Sequence, residues 1–260
     1  MLNLKPYSPL TAGVIINLSM GLLYGWSVLL APLEVSLDSD RASVSLAYSL
    51  ATIFFTIGMF VMYKLLNWLS LDKLALAMGA LGATGLALAG LEESIFTLII
   101  GFGAGYGFAA GVSYFIAISA ASHPSPIPIT IAMSINVSAF AVGGVLWPPI
   151  FEALIRTIGP HGTLIIAAII LLTASFIAFL LLNYSKVKSP DSKGDGLFRD
   201  ILTNKPRVVI ALFVGMTLLA ITSLMVIGHA SGMAAELNAS NIVLAPMITN
   251  FAYIAGALLV

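Results

Sequence analysis

Seven polar or aromatic side chains lie inside long apolar stretches of this sequence and are the candidates for chemistry: Asn17, Tyr24, Tyr114, Asn136, His229, Asn250 and Tyr253. Amides, phenols and imidazoles form hydrogen bonds, so they can hold a polar solute at membrane depth. No Lys, Arg, Asp or Glu occupies the middle of the seven complete apolar stretches. Because charges inside a membrane are usually functional, this pattern argues against a carboxylate proton relay or a channel with a charged ring.

Several candidates also have a purely structural alternative, and for Tyr24 it is a hydrogen bond to a neighbouring helix. Tyr24 and Trp26 are about 200° apart on a helix, so only one of them faces a central cavity, and the nearby Asn17 favours Tyr24. Asn136 lies near the middle of its stretch, where a buried amide must bind either a ligand or a neighbouring helix. His229 either contacts a solute or meets water at the membrane boundary. The sequence leaves these alternatives open.

Glycines and prolines mark places where helices pack closely or bend. Gly103, Gly107 and Gly111 recur at a spacing of four with Tyr114 on the same face, which favours close approach of helix backbones. Residues 105–110 superficially fit a dinucleotide-binding fingerprint, but they follow no strand and lie inside a spanning stretch, which excludes that interpretation. The other candidates for packing or gating are Gly143, Gly144, Pro148, Gly228 and Gly232. Those near residue 148 predict a kinked helix end.

Composition places the chain in a membrane. Of its 260 residues 60% are hydrophobic and 8% charged, with mean hydropathy +1.06, whereas a soluble domain is about 25% charged. The formal net charge is zero, and we see no basic stripe or zinc-ligand spacing, so no nucleic-acid partner is predicted. Without cysteine, disulfides, thiol catalysis and thiolate metal sites are excluded. No cofactor or metal site is predicted.

Eight apolar stretches predict transmembrane helices. They cover residues 10–33, 43–64, 71–91, 95–119, 127–150, 161–184, 207–232 and 241–260. They are too long for barrel strands, and the first is expected to be a retained span rather than a cleaved signal peptide. The sequence therefore predicts an all-α integral membrane protein in a lipid bilayer.

Charges in the connections alternate between the two sides of the membrane. Nine of the eleven Lys and Arg residues fall on one side, and only Arg41 and Arg156 fall on the other. The positive-inside rule then predicts a multi-pass protein of the cell membrane with a cytoplasmic N-terminus.

The polar segment 185–206 has the Gly, Ser and Pro composition of a linker. It divides the chain into an N-terminal six-helix bundle (1–184), a cytoplasmic linker (185–206) and the first two helices of a second bundle (207–260). The last stretch has only just reached spanning length at Val260. We therefore expect the sequence to be the N-terminal two-thirds of a longer protein.

Three segments resemble the oxalate/formate antiporter-like branch of the major facilitator superfamily, which is related to monocarboxylate transporters. They are residues 24–28 (Tyr-Gly-Trp-Ser-Val) followed by Pro32-Leu33, residues 224–230 (Leu-Met-Val-Ile-Gly-His-Ala), and the glycine run that leads to Tyr114. The resemblance implies a secondary transporter of small organic solutes, carboxylates by preference, that binds them between two six-helix bundles and works by alternating access. It also implies that Asn250 and Tyr253 face the cavity.

The chain departs from the superfamily pattern at three places. The loop at residues 122–126 (Ser-His-Pro-Ser-Pro) lacks the arginine that relatives carry after their fourth helix. The loop at residues 67–73 keeps only the closing Lys73 of a charged loop that supports gating in relatives. An arginine that binds dicarboxylates in relatives aligns here with Gly256 or Ala257. The absence of arginine at Gly256 or Ala257 weakens the dicarboxylate assignment and leaves transport intact.

Two other classes of function remain to be distinguished from transport. An intramembrane enzyme needs a cluster of catalytic side chains at membrane depth, and a single histidine without a mid-span acid does not supply one. We therefore expect no enzyme. A non-transporting eight-helix protein or remnant is the second alternative, and no pattern predicts an oligomeric state.

Overall fold

The computed structural model describes residues 5–187 and 206–258. Within these residues the chain forms helices α1 (Ser8–Ser36), α2 (Arg41–Leu65), α3 (Leu71–Leu91) and α4 (Ile95–Ala121). A long helical segment, Ile129–Ser185, follows. Next come α7 (Pro206–Glu236) and α8 (Leu244–Leu258). Most of the predicted linker, residues 188–205, lies outside the described residues.

The long segment Ile129–Ser185 is two helices joined at one glycine. Gly159 has φ 74° and ψ 174°, a backbone conformation that glycine adopts without steric cost. Pro160 follows, and proline suits the first position of a helix because it needs no hydrogen-bond partner there. The segment is thus α5 (residues 129–158) and α6 (residues 160–185). The predicted end of α5 near residue 150 was wrong, because the helix continues through Pro148 and Pro149 to Gly159.

The helices have the length and the surface of membrane spans. Five helical segments of the described residues are long and apolar enough to cross a bilayer, and one of them is the joined pair α5 and α6. Large apolar side chains cover the outside of the bundle, including Phe60, which is 76% exposed. Lipid tails solvate such a surface and water does not. The predicted all-α membrane fold is confirmed.

Glycines bring the helices together at several crossings, two of which join α2 to α4 and α1 to α5. A Cβ atom on Gly107 of α4 would lie 2.5 Å from the backbone oxygen of Ala51 in α2, and Gly103 and Gly111 also face the α2 backbone. A Cβ atom on Gly21 of α1 would lie 2.9 Å from the Cα of Gly143 in α5. Backbones this close leave no room for a side chain, so the spacing-four stripe lies where close packing was expected.

Candidate functional site

A cavity of about 630 Å³ opens where α1, α2, α4 and α5 meet α7 and α8. Aromatic rings form much of its wall, and within the described residues no charged side chain contributes to it. The lining residues are Tyr24, Phe55, Tyr114, Val137, Phe140, Ala141, Ser223, Ala252, Tyr253 and Gly256. The wall therefore offers flat apolar surface together with a few hydroxyl groups.

A tight turn in α1 positions Tyr24 in this wall. Between Gly21 and Gly25 the helix narrows to 3₁₀ geometry, and such a change of hydrogen-bond register weakens the bonding of nearby backbone carbonyls. Two buried side chains compensate by donating to carbonyls just before the turn. The Tyr106 hydroxyl donates to the Met20 oxygen over 2.6 Å, and the Trp147 indole nitrogen donates to the Leu18 oxygen over 3.1 Å. The tight turn is thus held by α4 and α5.

Phe140 of α5 sets the orientation of the neighbouring rings. Its ring centroid lies 5.0 Å from that of Tyr24, 5.5 Å from that of Tyr114 and 6.0 Å from that of Phe55. The interplanar angles are 80°, 85° and 75°, which is the edge-to-face arrangement that aromatic pairs favour. Tyr253 of α8 completes the wall, with its centroid 6.3 Å from that of Tyr24.

The structure brings together three of the seven candidate residues, namely Tyr24, Tyr114 and Tyr253. The choice of Tyr24 over Trp26 agrees with their placement. Trp26 is fully buried on the other side of α1, where its ring lies 4.5 Å from that of Phe102. His229 of α7 is half-buried and is not part of the cavity wall.

The three asparagines lie between helices and outside the wall of the cavity. Asn17 donates from Nδ2 to the backbone oxygen of Asn136 over 2.7 Å, which joins α1 to α5. Asn250 donates to the backbone oxygen of Gly144 over 3.3 Å, which joins α8 to α5. All three asparagines are fully buried. Asn17 and Asn250 thus form interhelical hydrogen bonds. The Asn136 side-chain amide lies against Gly13 of α1 and has no hydrogen-bond partner within the described residues.

The remaining glycines and Pro148 take up packing positions. Gly144 lies against the Asn250 side chain, Gly228 against the ring of Tyr48, and Gly232 against the guanidinium of Arg41. Pro148 is buried inside α5.

Sequence reasoning missed Phe55, Phe140 and Ser223 as wall residues. Phe140 shares a helical stripe with Asn136 and Gly143, so its periodicity was visible. A phenylalanine in an apolar stretch, however, has no sequence signal that separates a cavity wall from a core or a lipid-facing surface.

Comparison with known proteins agrees with this architecture. Residues 12–260 match the family model described as Major Facilitator Superfamily. A protein of Escherichia coli (strain K12), named "Uncharacterized MFS-type transporter YhjX", is 24% identical to this chain over 182 residues. That alignment covers 70% of this chain and 45% of the relative, so it spans less than half of the relative's length. Because the family match includes nearly the whole sequence, this multi-pass membrane protein belongs to the Major Facilitator Superfamily.

Proposed function

We propose that this protein is a secondary transporter that carries a small organic solute across the cell membrane by alternating access. The observation that carries the proposal is the position of the aromatic cavity. It lies where helices α1, α2, α4 and α5 meet α7 and α8, and transporters built from two helical bundles bind their solutes at such a junction near mid-depth. In this proposal α1–α6 form one bundle, α7 and α8 belong to a second, and the N-terminus is cytoplasmic.

The chemistry of the wall indicates how a solute would be held. The hydroxyl groups of Tyr24, Tyr114, Tyr253 and Ser223 can donate hydrogen bonds, and the rings of Phe55 and Phe140 can contact an apolar part of the solute. A phenol that donates to a carboxylate forms a charge-assisted bond, which is stronger than a neutral one.

Carboxylates are therefore the solute class that we propose, following the resemblance to the oxalate/formate antiporter-like branch. Neutral donors in this part of the wall suit a monocarboxylate better than a dicarboxylate, because each additional buried charge needs its own compensation. The proposed reaction is movement of the solute without covalent change, so no catalytic residue is assigned.

Uptake by the full-length protein in proteoliposomes tests the proposal. Labelled formate, acetate and oxalate are offered with and without the unlabelled solute inside, because exchange identifies an antiporter. We expect Tyr114→Phe and Tyr253→Phe each to raise KM about tenfold, which is the factor that corresponds to the loss of one hydrogen bond to a charged group. Tyr184, which is 60% exposed on α6, supplies the matched control Tyr184→Phe.

Two results would contradict the proposal. Solute binding without any flux would favour the non-transporting alternative. If Tyr114→Phe, Tyr253→Phe and the control Tyr184→Phe change uptake equally, the protein would still be a transporter, but the aromatic cavity would not be its binding site.

A further inference from the structure

A second cavity lies at the end of the bundle where α1 finishes and α2 begins. Its volume is about 810 Å³, and its wall is formed by α1, α5, α7, the first residues of α2 and α6, and the segment before α8. We call it the outer cavity, because the charge pattern of the connections predicts that this end faces away from the cytoplasm. Within the described residues it shares no wall residue with the aromatic cavity. Small-molecule sites occupy roughly 300–1,000 Å³, so its size suits an organic ligand.

Much of the wall of the outer cavity is apolar. Val28 and Ala31 of α1 and Ile155 of α5 belong to it. Val35 and Ile242 also line it, and their side chains are 85% and 38% exposed. Exposed apolar groups on a concave surface gain free energy when the apolar body of a ligand covers them.

The charged groups of the outer cavity do not balance. Arg41 serves two carboxylates, because its Nε lies 3.4 Å from Glu34 and its Nη1 lies 3.4 Å from Glu236. Arg156 pairs with Glu152 one turn away on α5. Among the described residues of the wall, three carboxylates therefore face two guanidinium groups, and one negative charge is left over.

The protein encloses the negative groups of this wall more than the positive ones. The side chain of Glu34 is 25% exposed against 43% for its partner Arg41, and that of Glu152 is 34% exposed against 76% for Arg156. A ligand that fills the cavity therefore replaces the water near negative charge more than the water near positive charge. Low-polarity walls around a charge also strengthen its field, so the enclosed part of the cavity attracts cations.

Glu34 in particular lacks a good partner. Its Oε1 atom is buried and accepts no hydrogen bond from any described residue. The Nε of Arg41, at 3.4 Å, lies beyond the usual hydrogen-bond distance of about 2.7–3.2 Å. An enclosed carboxylate is stabilised only when charged donors complete its shell, and half of one shared guanidinium is a poor completion. A ligand that donates to Glu34 would supply what the protein does not.

We propose that the outer cavity is a binding site for a small organic cation with an apolar body. The ammonium group of the ligand donates to the Glu34 carboxylate, and its body covers apolar wall residues such as Val28 and Ile155. A bare metal ion would satisfy the carboxylates and leave the apolar wall uncovered, and an organic anion would meet the excess negative charge. Because this site is separate from the aromatic cavity, the proposal does not depend on the proposed transport function.

Binding of 2-phenylethylamine to the purified full-length protein in detergent tests the site. The amine is a cation at neutral pH, whereas 2-phenylethanol has nearly the same shape and no charge. Isothermal titration calorimetry gives the Kd of each compound, and a titration into micelles without protein corrects for partitioning. We expect the amine to bind about tenfold more tightly than the alcohol, because a hydrogen bond between charged partners is stronger than a neutral one.

Two substitutions in the wall should change this affinity in opposite directions. Glu34→Gln removes the carboxylate that receives the ammonium group, so the Kd of the amine should rise about tenfold. Arg156→Gln removes a positive charge and frees Glu152, so the Kd should fall about threefold. A variant that merely damaged the fold would weaken binding in both cases. Glu93→Gln is the matched control, because Glu93 is exposed and is not part of the wall.

Three results would overturn the proposal. Equal affinity for the amine and the alcohol would show that the site does not recognise charge. If Glu34→Gln and Arg156→Gln shift the Kd in the same direction, or no more than Glu93→Gln does, the charges of the outer cavity do not bind the amine. If Phe140→Leu weakens binding and Glu34→Gln does not, the amine occupies the aromatic cavity, where ring faces attract ammonium groups. None of these measurements uses uptake, so each holds whether or not the protein carries carboxylates.

Discussion

Replacing Tyr106 with phenylalanine tests how the tight turn of α1 is held. Tyr106 is fully buried in α4, and its hydroxyl donates to the Met20 carbonyl over 2.6 Å, immediately before the turn at Gly21–Gly25. Tyr106→Phe keeps the ring and its contact with Phe102, whose centroid lies 5.2 Å away. The substitution therefore removes one hydrogen bond and little else.

The size of the effect follows from the burial of the Met20 carbonyl. Interhelical hydrogen bonds inside membranes contribute about 0.6 kcal/mol on average and up to about 1.7 kcal/mol. Loss of one partner also leaves a buried acceptor poorly satisfied, at a cost of about 1–3 kcal/mol. We expect Tyr106→Phe to destabilise the protein by about 1–2 kcal/mol, which lowers the unfolding temperature by roughly 2–8 °C.

Thermal unfolding of the purified protein in detergent, followed by size-exclusion chromatography, measures this change. Tyr114→Phe is the matched variant, because its hydroxyl lies in the cavity wall and forms no hydrogen bond within the described residues. We expect Tyr114→Phe to change the unfolding temperature little and to impair uptake. If the two variants lose stability equally, or if Tyr106→Phe loses none, then the hydrogen bond to Met20 does not hold the turn.

Two further substitutions test the helix crossings and the aromatic wall. Gly107→Ala places a methyl group 2.5 Å from the Ala51 oxygen and should lower the unfolding temperature. Gly215→Ala on α7 meets no atom within 4 Å in the part of the chain that the structure describes and should raise or preserve it. Equal effects of the two alanines in the same thermal assay would show that the crossing tolerates a Cβ. Phe140→Leu removes the ring that orients three others, so solute affinity should fall several-fold at nearly unchanged membrane insertion. Unchanged KM in proteoliposomes would contradict that role.

Helix number and the direction of some side chains were accessible from sequence because they depend on local properties. The length of an apolar stretch decides whether it can cross a bilayer, and that rule found the helices to within a few residues at most ends. The opposite placement of Tyr24 and Trp26 was also predictable. A separation of two residues turns a side chain by about 200° in an α-helix and about 240° in a 3₁₀-helix, so the tight turn between Gly21 and Gly25 did not change the outcome.

The composition of the cavity wall was less accessible, because it depends on how the helices cross. A buried amide signals that a partner is needed and does not identify the partner, so Asn17, Asn136 and Asn250 were as suitable for a ligand as for a neighbouring helix. For Asn250, a glycine decides between a ligand and a neighbouring helix. Gly144 allows α8 to approach α5 so closely that Asn250 reaches its backbone oxygen, which takes the amide out of the cavity.

The tight turn of α1 links the proposed binding site to the packed core of the bundle. Tyr24 lies within the turn and lines the cavity, while Trp26 follows it by two residues and packs against Phe102 on the other side of α1. A rigid α-helix would transmit any displacement of one to the other, and a 3₁₀ segment bends at lower cost because its hydrogen bonds have poorer geometry. The donors from α4 and α5 oppose that bending on the side of Met20. Beyond the turn, Trp26, Leu29 and Leu33 are fully buried. Both flanks of the turn are therefore fixed by packing, so a displacement of Tyr24 by a solute is confined to the 3₁₀ segment itself.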